Sequence, residues 1–201
     1  MNRTIDESLP RVGLFGGTFD PPHLGHIALA KAALAQLDLD ELIWIPAAKN
    51  PLKVGKPTPG KVRIELIQAA IHDQPKMSIC DIELGRPGQS YTIDTLMELQ
   101  HVRPANYWLV MGADSFKSIP KWKNPERLLK MCRLAVGLRP PMNKGDLPGL
   151  EGDNVDLIHI PASEISSTDI RHRIGAKKSA VLFLDPAVYA TIKQHKLYGN
   201  L

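Results

Sequence analysis

GGTFDPPHLGH occupies positions 16–26, between an apolar run, Val12 to Phe15, and an apolar stripe made of Ile27, Ala30, Leu34 and Leu37. The run is short and uniformly apolar, which suits a strand covered on both faces. The stripe recurs at i, i+3, i+7 and i+10, the period of a helix. The quoted segment therefore joins a strand to a helix. Gly16 and Gly17 leave the main chain open to a close-approaching ligand, and Pro21 and Pro22 stiffen the turn by fixing φ. A helix start carries unpaired N–H groups, so an anion is stabilised there.

The same alternation continues along the chain. Leu42 to Ile45, Met77 to Leu84, Tyr107 to Met111, Leu134 to Leu138 and Val155 to Ile160 read as further strands. Ile64, Ile67 and Ile71 mark a second helix, a third follows Thr92, and Asn124-Pro125 has the cap-then-proline signature of a fourth. Strand and helix in alternation imply right-handed crossovers and a parallel sheet covered on both faces. The expected fold is a doubly wound α/β sheet, in one domain spanning 1–201. Such sheets bind ligands beyond the carboxyl ends of their strands. The proline- and glycine-rich stretches Lys49 to Gly60 and Pro140 to Asn154 read as exposed loops.

Composition narrows the function classes. Hydrophobic residues make up 43% and charged residues 23%, the balance of a soluble globule. No apolar stretch approaches the roughly 18 residues of a membrane span, and the first residues lack the layout of a signal peptide. Cys80 and Cys132 stand alone, which argues against a disulfide framework or a zinc ribbon and fits a reducing cytoplasm. A net charge of +4 favours anionic ligands. With aromatics at only 5%, a nucleic-acid face of stacked rings is not expected. A homo-oligomer stays open.

His23 and His26 stand three apart. If Gly25 opens the helix, their rings lie on adjoining sides of its first turn and reach one phosphate from two directions. Imidazoles donate directional hydrogen bonds and can carry positive charge near neutral pH. A pair of solvated turn histidines is the plainer reading. Zinc lacks a third ligand at helical spacing, and the glycines do not follow the dinucleotide fingerprint G-x-G-x-x-G. Near the other end, ISSTDIR (Ile165 to Arg171) reads as a second helix start, capped by Ser166 or Ser167 with Asp169 in its first turn. Ser167 and Thr168 add hydroxyls, and Arg171 brings a forked cation about one turn on.

Gly17-x-Phe19-x-Pro21-x-His23-x-Gly25-His26 resembles the G-x-F-x-P-x-H-x-G-H signature of the nucleotidyltransferase superfamily, and Ile165 to Arg171 is similar to its I-S-S-T-x-x-R element. SYTIDTL (Ser90 to Leu96), MGADSF (Met111 to Phe116), Trp122 and DPAVYATIKQHKLY resemble the bacterial nicotinate-mononucleotide adenylyltransferases, from about Val12 to Tyr198. The resemblance implies a Rossmann-like nucleotidyltransferase fold. It implies ATP binding by Gly16, Gly17, Thr18, Phe19, His23, Gly25, His26, Ser166, Ser167, Thr168 and Arg171, with His23, His26 and Arg171 stabilising the reaction. It also implies an acceptor site at Asn50, Lys53, Thr92, Gly112, Asp114 and Trp122. An electron-poor pyridinium suits the face of Trp122, and Thr92 beside a helix start suits its carboxylate. Leu52 and Lys123 depart from the histidine and tyrosine common in the family.

The implied reaction passes an adenylyl group from ATP to nicotinate mononucleotide. It needs no protein nucleophile, and Mg²⁺ arrives with ATP because the sequence has no dense carboxylate cluster to hold it. Asp20 reads as a turn-stabilising residue ahead of a metal ligand. The alternatives are another phosphorylated acceptor, nicotinamide mononucleotide foremost, or a nucleotide-binding module that makes no product.

Overall fold

Alternate residues of each central strand enter opposite cores. Val12, Leu14, Ile43, Ile45, Tyr107 and Leu109 pack on one face, and Phe15, Leu42, Trp44, Trp108 and Val110 on the other. That two-sided burial is the condition for a parallel sheet. The computed structural model describes residues 5–52, 55–140, 145, 154–161 and 165–199. Among these, β1 (Arg11–Gly17), β2 (Glu41–Pro46), β3 (Met77–Ile79), β4 (Asn106–Gly112), β5 (Arg133–Leu138) and β6 (Val155–His159) form one sheet in the order β3-β2-β1-β4-β5-β6. Every pairing is parallel.

Residues of α1 (Leu24–Gln36), α2 (Gly60–Ala70), α6 (Ser167–Gly175) and α7 (Pro186–Gln194) fill the core on one face. Residues of α3 (Thr92–Val102), α4 (Ala113–Ser118) and α5 (Pro125–Met131) fill the other. The chain winds outward from β1 through β2 to β3, then crosses to β4 on the far side of β1. The switch point therefore lies between β1 and β4, where the carboxyl ends of the two strands diverge.

Four local expectations are corrected. The strand expected over Met77 to Leu84 stops at Ile79. Cys80 N still bonds Trp44 O, but Leu84 N then turns back to Asp81 O. Helix α1 starts at Leu24, not Gly25, with His23 at the cap and His26 in the first turn. On α2, Ile64 is only half-buried; Arg63, Leu66, Ile67 and Ala70 form the buried face. Asn124 precedes α5 as expected, but at φ 48°, and no hydrogen bond from its side chain caps the helix. Helix α4 has no sequence-level counterpart, because six residues are too few to display a period.

Candidate active site at the switch point

A cleft of about 580 Å³ opens at the carboxyl ends of β1 and β4. Gly16, Gly17, Thr18, Phe19, Gly25 and His26 line it from the first loop, and Ser167 from the start of α6. Asn50, Thr92, Gly112, Asp114 and Trp122 line it from the acceptor side. The two glycines of the first loop differ in purpose. A side chain on Gly16 would meet nothing within 4 Å, so its place on the wall is open for close approach. A Cβ on Gly17 would fall 2.7 Å from the Phe19 ring, so this glycine serves the protein's own packing. Gly112 has open space like Gly16.

The histidine pair is fixed by its own backbone. His26 N and Ile27 N both bond His23 O, while His23 N donates to His26 Nδ1 at 3.2 Å. The two ring centroids are 3.7 Å apart. With Nδ1 accepting, the neutral His26 ring carries its proton on Nε2. Phe19, buried at φ 49°, meets the His26 ring edge-on at 5.2 Å and also packs on Trp44. Two polar atoms of this loop, Thr18 Oγ1 and His23 Nδ1, are buried without a hydrogen-bond partner among the described residues. Buried polar atoms are rarely left so.

His23 departs from the positively charged state expected for a phosphate-binding imidazole. Burial, and secondly the charge of Arg139, lower its pKa to about 4. The free protein thus holds a neutral ring at neutral pH, and a bound phosphate would move it back toward protonation. In the unfolded chain the same ring titrates near 6.5. Between these values the unfolded state binds more protons, so acidification removes stability across this window. Urea unfolding at pH 6.5 and 4.5 should show wild type losing about 2 kcal/mol more than His23→Gln. Equal losses in the two proteins would contradict the assignment.

The start of α6 meets the loop that precedes α1. Ser166 caps α6, its Oγ accepting from Asp169 N at 3.1 Å. Ser167 Oγ donates to Pro21 O at 2.8 Å, and Arg171 Nη1 donates to Asp20 O at 2.8 Å. Arg171 Nη2 also reaches Thr168 Oγ1 at 3.3 Å. The starts of α1 and α6 are therefore bonded through the backbone of residues 20 and 21. The Asp20 carboxylate is engaged on both oxygens, by Tyr198 Oη and Thr58 N, consistent with a loop-holding role.

On the acceptor side, Tyr91 is the N-cap of α3 and Thr92 its first residue, so Thr92 sits among the free N–H groups of that helix start. Trp122 is half-buried, and its Nε1 donates to Ser118 Oγ at 2.9 Å, which fixes the ring's orientation at the cleft wall. Asp114 is exposed in the first turn of α4. Asn50 Oδ1 accepts from Leu52 N at 2.9 Å, so one face of its amide is used locally, and Leu52 is half exposed. Lys53 lies outside the described residues. Lys123 sits 4.7 Å over the Tyr91 ring and pairs with Asp94 at 2.8 Å, tying the tryptophan segment to α3.

Two cleft residues went unnoticed in the sequence. Arg139 follows the last residue of β5 and lines the cleft, close enough to act electrostatically on His23. Its position just after an apolar strand was the available signal. Glu83, which lines the cleft, is buried; its Oε1 accepts from Thr95 Oγ1 at 2.7 Å, and Arg86 donates to the same hydroxyl. Nothing local distinguishes it.

Among the described residues no group of three or more His, Cys, Asp or Glu is arranged to hold a metal, and no helix is long and apolar enough to cross a membrane. Comparison with known proteins gives the family. The cytidylyltransferase-like family model matches residues 14–173. A probable nicotinate-nucleotide adenylyltransferase of Shouchella clausii is 36% identical over 96% of this chain and 98% of its own length. One from Thermus thermophilus is 37% identical over 94% of this chain and 99% of its own. The nicotinic acid mononucleotide adenylyltransferase of Plasmodium falciparum, solved with NaAD, shares the fold at TM-score 0.83 and 18% identity, over 96% of this chain and 98% of that one. With family model, full-length relatives and fold in agreement, the chain belongs to the cytidylyltransferase-like family and, within it, to the nicotinate-nucleotide adenylyltransferases.

Proposed function

We propose that this protein transfers the adenylyl group of ATP to nicotinate mononucleotide, giving nicotinate adenine dinucleotide and pyrophosphate. One observation carries the reading: the start of α6 is bonded through Ser167 and Arg171 to Pro21 O and Asp20 O ahead of α1, and the cleft lined by His26 and Ser167 is also lined by Thr92 and Trp122. A phosphate oxygen of the mononucleotide attacks the α-phosphorus of ATP. The new P–O bond forms as the bond from that phosphorus to the oxygen bridging to the β-phosphate breaks, and its electron pair leaves with pyrophosphate. Positioning and charge neutralisation supply the catalysis.

His26 Nε2–H and the His23 imidazole donate to the α- and β-phosphate oxygens, and Arg171 with Ser167 and Thr168 offsets charge on the leaving group. Gly16 and Gly17 pass close to the nucleotide. Trp122 stacks the pyridinium, the α3 start with Thr92 binds its carboxylate, and Asp114 accepts from ribose hydroxyls. Mg²⁺ enters as part of the triphosphate substrate and screens its charge. One domain carries the whole site, and a cytoplasmic setting with its ATP supply suits the reaction.

Parallel assays with MgATP and either nicotinate or nicotinamide mononucleotide, reading pyrophosphate release, test this. The nicotinate substrate should win by at least about tenfold in kcat/KM, since a carboxylate gains more than an amide from a helix start. A preference for the amide would overturn the acceptor assignment. No pyrophosphate from either would overturn the function.

A further inference from the structure

Residues 18–21 turn sharply between β1 and the two histidines, and four segments hold them there. Arg171 Nη1 and Ser167 Oγ donate to Asp20 O and Pro21 O, both at 2.8 Å. From α2, the buried Arg63 gives Nη1 to Thr18 O and Nε to Thr58 O, both at 2.8 Å. Thr58 N donates to Asp20 Oδ2 at 3.0 Å. Beyond α7, Tyr198 Oη donates to Asp20 Oδ1 at 2.6 Å, joining residues 178 positions apart. Tyr198 adopts φ 63°, a conformation a tyrosine occupies only when its surroundings hold it. Its phenol is kept protonated by burial and by the Asp20 charge, and so remains a donor.

We propose that Tyr198 is a positioning residue for the triphosphate site. Its hydroxyl holds the Asp20 carboxylate, Asp20 holds the turn, and the turn sets where His23 and His26 stand relative to Arg171. The inference rests on the ATP-binding role assigned to that turn. Tyr198 is not among the residues that line the cleft, and its hydroxyl is given to Asp20, through which it acts. The distant end of the chain thereby closes the site opened by its first loop.

The test uses the full chain. Binding of a non-hydrolysable ATP analogue is measured by calorimetry, and kcat and KM for both substrates are measured, for wild type, Tyr198→Phe, Asp20→Asn and the double variant. The phenylalanine keeps the ring packing, and thermal melting reports any loss of fold. Tyr198→Phe should weaken analogue binding and lower kcat/KM for ATP by about tenfold, the scale of a hydrogen bond to a charged group. KM for the mononucleotide should stay within about twofold, and the double variant should lose no more than the weaker single. Tyr189→Phe, on α7 away from the turn, should match wild type. Unchanged analogue affinity in Tyr198→Phe, equal losses for both substrates, or additive losses in the double variant would overturn the proposal. If wild type binds the analogue but transfers nothing, the transferase reading fails while the binding comparison still decides this one.

Discussion

His26→Ala should lower kcat by about 10² to 10³, with kcat/KM falling in parallel and the fold retained. His23 N donates to His26 Nδ1, so the ring is held by the helix start and the neutral ring carries its proton on Nε2. A donor held in advance costs no reorganisation when charge builds on the α-phosphoryl oxygens, and removing one such donor from a preorganised site costs about 2.7 to 4 kcal/mol. The packing loss is small beside this, because Phe15, Phe19 and Trp44 carry that part of the core. Steady-state kinetics with a melting curve checks the prediction. A folded His26→Ala protein with wild-type turnover would remove the ring from the chemistry.

Arg63→Met should cost about 3 kcal/mol of stability, read from the urea midpoint, on the scale of leaving buried polar partners unsatisfied. Arg63 is 1% exposed, on a helix face otherwise made of Leu66, Ile67 and Ala70. Burial lowers its guanidinium pKa, but the charge of Asp20 opposes that shift and the group stays charged. The guanidinium satisfies Thr58 O and Thr18 O at once. Methionine fills much of the volume but leaves two carbonyls and a buried carboxylate without their cation, and each unsatisfied buried group costs about 1 to 3 kcal/mol. Affinity for ATP should fall with stability, because Thr18 O belongs to the turn before the histidines. A loss under about 1 kcal/mol would mean that those carbonyls find other donors.

Arg63 also shows where sequence reading stops. In a helical stripe an arginine counts as a solvated residue, and only partners 45 positions away in Thr18 reveal why it is buried. The same holds for Tyr198 and Asp20, and for Glu83 with Thr95. By contrast β1, β2, β4 and β5 were readable because a parallel strand covered on both faces is largely apolar. Among the described residues, β3 pairs with β2 over Met77 to Ile79, and its sequence outlasts that ladder. The starts of α1 and α6 were legible because capping residues, glycines and cations cluster locally. Their convergence was expected from motif resemblance and is seen in two hydrogen bonds that join residues 146 and 151 positions apart.

In the proposed reaction one triphosphate is shared by the starts of α1 and α6. The most direct measurement is a crystal structure of the protein with a non-hydrolysable ATP analogue and nicotinate mononucleotide. The triphosphate should lie between His26 and Arg171, with the α-phosphorus facing the mononucleotide phosphate and the pyridine ring on Trp122. A triphosphate that touches only one of the two helix starts, or neither, would contradict it.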